Sequence, residues 1–166
     1  MKVNKMEKQI IGNMHFGPFV DITDPCYDRN VWCRMNNVQI IEGEYTCVIW
    51  LCKESYVFNG KEDTYTSVGR IGIYLDGMIP DQNDMEEIGE IGVDAGLAGF
   101  FMDKPDYTSD EWFAFCDSLG LKEDAWIKPE GFFSNSGGGD GCYPVVVARN
   151  DKGDINAVEI VFYEEI

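Results

Sequence analysis

The sequence predicts an α+β fold that is mainly β: antiparallel sheet, as a sandwich or a strongly curved sheet, with one or two helices packed on it. Three observations carry this reading. Apolar runs recur at strand length rather than helix length. Turn signals separate them at short intervals, so successive strands should connect as hairpins. A single segment carries a complete helix-start signal.

The elements follow in chain order. Residues 19–24 (F-V-D-I-T-D) read as a strand stopped by Pro25. Residues 38–41 read as another, with Glu42-Gly43 as its turn. Residues 44–53 (E-Y-T-C-V-I-W-L-C-K) are apolar on both faces, as a buried central strand is. Asn59-Gly60 is the commonest hairpin-turn pair. It should join residues 56–58 to the run 64–75, with the polar Lys61-Glu62-Asp63 lengthening the loop. In that run Ile71, Ile73 and Leu75 share one face, while Gly69 and Gly72 mark a bulge or close packing.

Residues 93–103 (V-D-A-G-L-A-G-F-F-M-D) suggest a strand entering a small-residue bend and then an aromatic segment. Thr108-Ser109-Asp110-Glu111 is a capping box. Behind it Trp112, Phe113, Phe115, Cys116 and Leu119 supply a helical apolar stripe that Gly120 should end. A second short helix is expected over 123–128, before Pro129. Residues 131–134 form a strand, and the C-terminus is a hairpin of 143–149 and 155–163 turning at 150–154. Without repeat, linker or low-complexity tract, 166 residues read as one domain, 1–166.

Charge is the strongest bulk signal. Thirty acidic against 13 basic side chains give a net charge of −17. It is uneven: residues 1–83 carry −3 and residues 84–166 carry −14. Such a field repels nucleic acid and anionic membranes, so direct nucleic-acid binding and membrane association are not expected. It suits a cationic protein partner, a divalent ion, or mimicry of a nucleic-acid backbone; plain solubility is the simpler explanation of it. No apolar run approaches a membrane span, and the lysines at the start have no apolar segment behind them, so a cytoplasmic location is expected. The six cysteines, at 26, 33, 47, 52, 116 and 142, should then be free thiols, and no pair has C-x-x-C spacing.

The least ordinary stretch is S-N-S-G-G-G-D-G-C-Y-P-V, residues 134–145. Its glycine spacing is not that of a dinucleotide loop, no helix follows, and no Gly-Lys-Ser or Gly-Lys-Thr is present. A wide connection between strands remains, with several glycines at positive φ around Asp140. It is either a bulged turn or a nest of N–H groups able to hold an anion. Asp21-Ile22-Thr23-Asp24-Pro25-Cys26-Tyr27 and the bend after Val93 have the same character of carboxylates at strand ends.

These three segments resemble a bacterial and phage domain family with no assigned reaction. The shared motifs are D-P-C-Y, here Asp24 to Tyr27, then V-D-x-G-x-x-G-F, here Val93 to Phe100 with Asp103 three residues on, and G-x-G-D-G-x-Y-P-V, here Gly137 to Val145. They are followed by the turn Asp151-Lys152-Gly153-Asp154 and an I-x-F strand at Ile160. The resemblance implies a shared fold unit and names positions without supplying chemistry.

The first reading is therefore a non-enzymatic binding or interaction module of the cytoplasm, encoded by a phage or mobile element. Its ligand-binding candidates are Asp24, Cys26, Tyr27, Asp94, Gly139, Asp140, Gly141 and Tyr143. No cofactor is expected. The alternative is a divalent-metal-dependent hydrolase in which Asp21, Asp24, Asp94, Asp103 and Asp140 converge on Mg²⁺ or Ca²⁺. A third is an acidic inhibitor that mimics nucleic acid. A Cys–His nucleophile would require His15, the only histidine, with Cys26 or Cys142.

Overall fold

The computed structural model describes residues 2–102, 104, 106–120 and 122–166. Two antiparallel sheets pack face to face, so the fold is mainly β and a sandwich. One sheet has six strands in the order β2 (Glu7–Phe16), β5 (Gly43–Phe58), β6 (Lys61–Leu75), β12 (Ile155–Val161), β11 (Gly141–Arg149) and β7 (Glu86–Val93). The other has five, in the order β4 (Met35–Gln39), β3 (Phe19–Thr23), β8 (Leu97–Phe101), β10 (Gly131–Asn135) and β9 (Ala125–Lys128). Two short strands, β1 (Lys2–Val3) and β13 (Glu164–Glu165), pair in parallel.

Period-two alternation builds the core. From the larger sheet Tyr45, Ile49, Ile71, Ile73, Val145, Val158 and Ile160 point inward. They meet Val20, Ile22, Ala98, Phe100 and Phe132 from the smaller. Each such side chain contributes about 1.5–3 kcal/mol on burial, an upper figure because the unfolded chain is not fully extended. The alternate residues of the smaller sheet, Leu97, Phe101, Trp126 and Phe133, form an aromatic outer face. The helix α1 (Ser109–Asp117) covers it with Phe115, whose ring centroid is 5.2 Å from that of Phe133.

The helix starts as its capping box requires. The Thr108 N–H donates to Glu111 Oε2 at 3.0 Å, and the Glu111 N–H to Thr108 Oγ1 at 3.4 Å. Trp112 and Leu119 pack partly against the aromatic face, but Phe113 is 64% exposed and turns to solvent. The helix stops at the Ser118 cap, two residues before Gly120, where the Ser118 hydroxyl donates to the Phe115 carbonyl.

Two expectations change, and two strands appear that the sequence did not announce. Residues 125–128 are strand β9 rather than a helix, because Trp126 faces the outer cluster while Ala125 and Ile127 face the core, and β10 supplies their hydrogen-bond partners. Lys61–Asp63 do not lengthen a loop: Asn59-Gly60 is a two-residue turn, and Phe58 pairs directly with Lys61. Strands β2 and β7 carry no clean apolar alternation. Both are edge strands with exposed charged residues, and a bulge between Ile10 and Gly12 breaks the period of β2.

The distal half of the β5–β6 hairpin, beyond Leu51 and Arg70, pairs with no further strand among the described residues. Tyr56, Val57, Phe58 and Tyr65 are exposed there. Lys53, Lys61 and Glu62 charge this arm, as open strand edges generally require.

The outer face of the six-stranded sheet holds a polar cluster. Glu159 is fully buried. It accepts from the Tyr74 hydroxyl and, through both oxygens, from Gln82 Nε2 at 3.2 Å, and its Oε1 lies 3.6 Å from Arg70 Nε. The Arg70 guanidinium sits over the Trp50 ring, 4.5 Å from its centroid, and Trp50 Nε1 donates to Tyr74 Oη. Gly72 makes room: a Cβ there would meet Tyr74 Oη at 2.3 Å. Removing one hydrogen-bond partner from a buried carboxylate costs about 1–3 kcal/mol. Tyr74→Phe should therefore lower the unfolding free energy measured in urea by that amount, seen as a lower midpoint at an unchanged slope. An unaltered midpoint would show that Glu159 is held without Tyr74.

Candidate functional site

The strand β3 ends at Thr23; Asp24 follows it, and Pro25 forbids its continuation. The Asp24 carboxylate is fully buried and accepts three backbone N–H groups. Oδ1 takes Cys26 N at 2.8 Å; Oδ2 takes Asp94 N at 2.7 Å and Ala95 N at 2.8 Å. Burial pushes this carboxyl above its ordinary range, while the three amides pull against that shift. Asp140 caps the next amide of the same bend, accepting from Gly96 N at 3.1 Å, and the Gly96 carbonyl accepts from Ser136 N at 2.9 Å. Three successive amides after β7 are thus held by two carboxylates from different parts of the chain.

The glycine-rich loop is framed from below. The Tyr143 hydroxyl and the Ser136 hydroxyl both donate to the Gly139 carbonyl, at 2.8 and 2.7 Å. The Tyr143 ring is buried edge-on against Phe162. Of the four glycines, Gly137 and Gly139 have positive φ, +53° and +82°. Gly137 is the constrained one: a Cβ there would stand 1.9 Å from the Val68 carbonyl oxygen.

Beside this frame lies a cleft of about 730 Å³ lined by Tyr27, Val31, Trp32, Cys33, Gly92, Val93, Asp94, Asp140, Gly141 and Cys142. Trp32 is 89% exposed at its edge. Burial, together with hydrogen bonding to Cys33 and Asp94, pushes the Tyr27 hydroxyl pKa well up, so it stays protonated. Asp94 and Asp140 are exposed and supply negative charge. The nearest arginines are turned away. Arg29 and Arg34 donate to Asp21 Oδ2 at 2.8 and 3.1 Å, and Arg34 also to the Tyr27 carbonyl at 2.8 Å. A groove of about 490 Å³ near Met78, Ile79 and Arg149 contains none of the candidate residues.

The candidates thus separate by role. Tyr27, Asp94, Asp140 and Gly141 line the cleft. Asp24, Gly139 and Tyr143 build its frame. Cys26 is absent from the lining; burial and the nearby Asp24 and Asp94 charges push its thiol up to about 11.

In the metal alternative, Asp21 is engaged by two arginines and the Asn37 N–H, and Asp24 by three amides. Asp103 lies outside the described residues. Among the described residues no three carboxylate, thiol or imidazole groups gather at one point. His15 is on β2, where its Nε2 is 3.1 Å from Glu42 Oε2, so the described hydrogen bond joins it to a carboxylate rather than to Cys26 or Cys142. Trp32 and Cys33 were not among the expected residues. A large aromatic inside the polar run D-R-N-V-W-C-R was the available signal.

No family model, no curated protein and no solved structure matches the chain.

Two outcomes follow from the frame. Asp24→Asn replaces one acceptor oxygen with an NH₂ that faces backbone donors, and should cost about 2–4 kcal/mol in chemical denaturation; Asp140→Asn, more exposed and with one amide partner, should cost under about 1 kcal/mol. Equal losses would remove Asp24 from its structural role. Similarly, Gly137→Ala should lower the melting temperature, whereas Gly141→Ala, whose Cβ would meet only the Tyr143 ring at 3.4 Å and beyond, should leave it nearly unchanged. The reverse order would contradict the loop geometry.

Proposed function

We propose that the protein is an acidic cytoplasmic binding module whose cleft between the Tyr27–Cys33 loop and the Asp140–Cys142 segment takes a cationic, partly apolar segment of a protein partner. The observation that carries this reading is the cleft's composition. An exposed indole, Trp32, stands with two exposed carboxylates, Asp94 and Asp140, while Arg29 and Arg34 are engaged with Asp21. Aromatic faces and carboxylates together favour arginine or lysine side chains through cation–π and charge-assisted contacts. Glu90, two residues before Gly92 in β7, lies on the same strand face and adds to the field. The net charge of −17 opposes nucleic acid and anionic membranes as partners and speeds encounter with a cationic protein. Among the described residues no helix is long and apolar enough to cross a membrane.

The motif resemblance supports the same place. Its D-P-C-Y, V-D-x-G and G-D-G-x-Y elements supply Asp24, Asp94 and Asp140, which lie on the frame and walls of this one cleft. The binding reading also fits the carboxylates better than metal-dependent hydrolysis does, since Asp21 and Asp24 direct their oxygens at N–H donors.

Titration calorimetry with a short Lys/Arg/Tyr peptide and its Glu-substituted counterpart tests the reading. The basic peptide should bind, with affinity falling steeply as salt rises, because exposed charges are screened within about 10 Å at 0.1 M. Trp32→Ala and the double change Asp94→Asn with Asp140→Asn should each weaken binding about tenfold. Equal affinity for both peptides, or no salt dependence, would overturn it.

A further inference from the structure

We infer that Cys33 and Cys142 form a reactive dithiol across the cleft, closed to a disulfide by small disulfide oxidants. Glycine at position 92 is the first observation. A Cβ built on Gly92 would lie 2.8 Å from Cys33 Sγ and 3.1 Å from Cys33 Cβ. Cys33 therefore occupies the space of the missing side chain. Strand register is the second. Gly92 of β7 pairs with Cys142 of β11. The Gly92 N–H points away from β11 and donates to the Cys33 carbonyl at 2.8 Å. Gly92 and Cys142 are thus a non-hydrogen-bonded pair, the kind whose side chains stand closest.

The two facts combine. Cys33 stands beside the position that the cross-strand neighbour of Cys142 would fill. Opposed Cβ atoms in such pairs are about 4.5–5.5 Å apart, and a disulfide spans about 3.5–4.5 Å. Cys33 Cβ lies 3.1 Å from the position a Gly92 side chain would take, so a movement of its loop toward β11 with a side-chain rotation makes the bond. Both thiols are free and both line the cleft. They differ in access: Cys142 is exposed and Cys33 half-buried.

That difference orders the chemistry. The Cys142 thiolate attacks one sulfur of a small disulfide such as oxidised glutathione. A mixed disulfide forms, and one thiolate leaves with the electron pair of the broken S–S bond. The Cys33 thiol, losing its proton to solvent, attacks Cys142 Sγ and expels the second thiolate. The protein loses two protons and two electrons, and the oxidant is released as two thiols. The product staples the loop between β3 and β4 to β11, across the cleft mouth. This site stands on its own geometry and does not depend on which ligand the cleft takes.

The test is peptide mapping of the native protein after incubation with oxidised glutathione, quenched in acid and digested without reduction. Cleavage at Arg29 separates Cys26 from Cys33, so the pairing is read without ambiguity. Wild type should yield the peptide of residues 30–34 linked to that holding Cys142. Cys33→Ser should accumulate the glutathione adduct on Cys142, and Cys142→Ser should leave Cys33 unmodified over the same time. Both variants replace side chains outside the core, and their melting curves check that they fold. A stable glutathione adduct on Cys142 of the wild type, a link to Cys26 or Cys116, or no modification would each overturn the inference.

Discussion

The buried carboxylate of Asp24 joins two segments seventy residues apart in sequence, and the geometry of the cleft follows from that junction. A charged oxygen pair removed from water must be met by donors, or its burial is strongly unfavourable. Here the donors are backbone amides: one from its own Pro25 turn and two from the bend after β7. Fixing that bend also fixes Gly96, whose amide and carbonyl then receive Asp140 and Ser136 from the glycine-rich loop. The loop is held again at Gly139 by two hydroxyls. Segments from three parts of the chain are thereby set around one bend before any ligand arrives, which limits the ordering cost of binding.

Next to this junction the charges are sorted by sign. Asp21, three residues before Asp24, draws Arg29 and Arg34 toward the sheet edge. Burial and the neighbouring Arg34 charge pull the Lys104 amine down to about 8, and its ammonium lies over the Tyr107 ring. Cations on that side are engaged, and the cleft side keeps exposed carboxylates and an exposed indole. Arg70 and Glu159 on the outer face of the larger sheet repeat the principle: buried charge is tolerated where a partner of opposite sign, aromatic faces and hydrogen bonds surround it.

Glycines mark the places where two chains approach closely. Gly92 yields its side-chain space to Cys33, Gly72 to the Tyr74 ring, and Gly137 to a carbonyl of β6. At Gly92 the result is chemical as well as steric, since it brings a half-buried thiol beside an exposed one at the cleft mouth.

Local chemistry made much of the fold legible. The capping box at Thr108, the Asn59-Gly60 turn and the apolar run 44–53 each act within a few residues, so their outcomes could be read from neighbours in the chain. Edge strands β2 and β7 were not legible, because only one face of each is buried and bulges interrupt their period. Trp126 and Ile127 became strand because β10 offered hydrogen bonds and α1 an aromatic cover, both supplied from elsewhere in the chain. The motif aspartates could be picked out as a group, but not their roles. Asp24 is satisfied by amides seventy residues away and Asp140 by one forty-four away. The sequence by itself determined a mainly β, strongly acidic chain with carboxylates and glycines at strand ends. Only the tertiary structure decided which carboxylates are buried as frame and which face the cleft, because that choice depends on strand register and on donors brought together from distant segments.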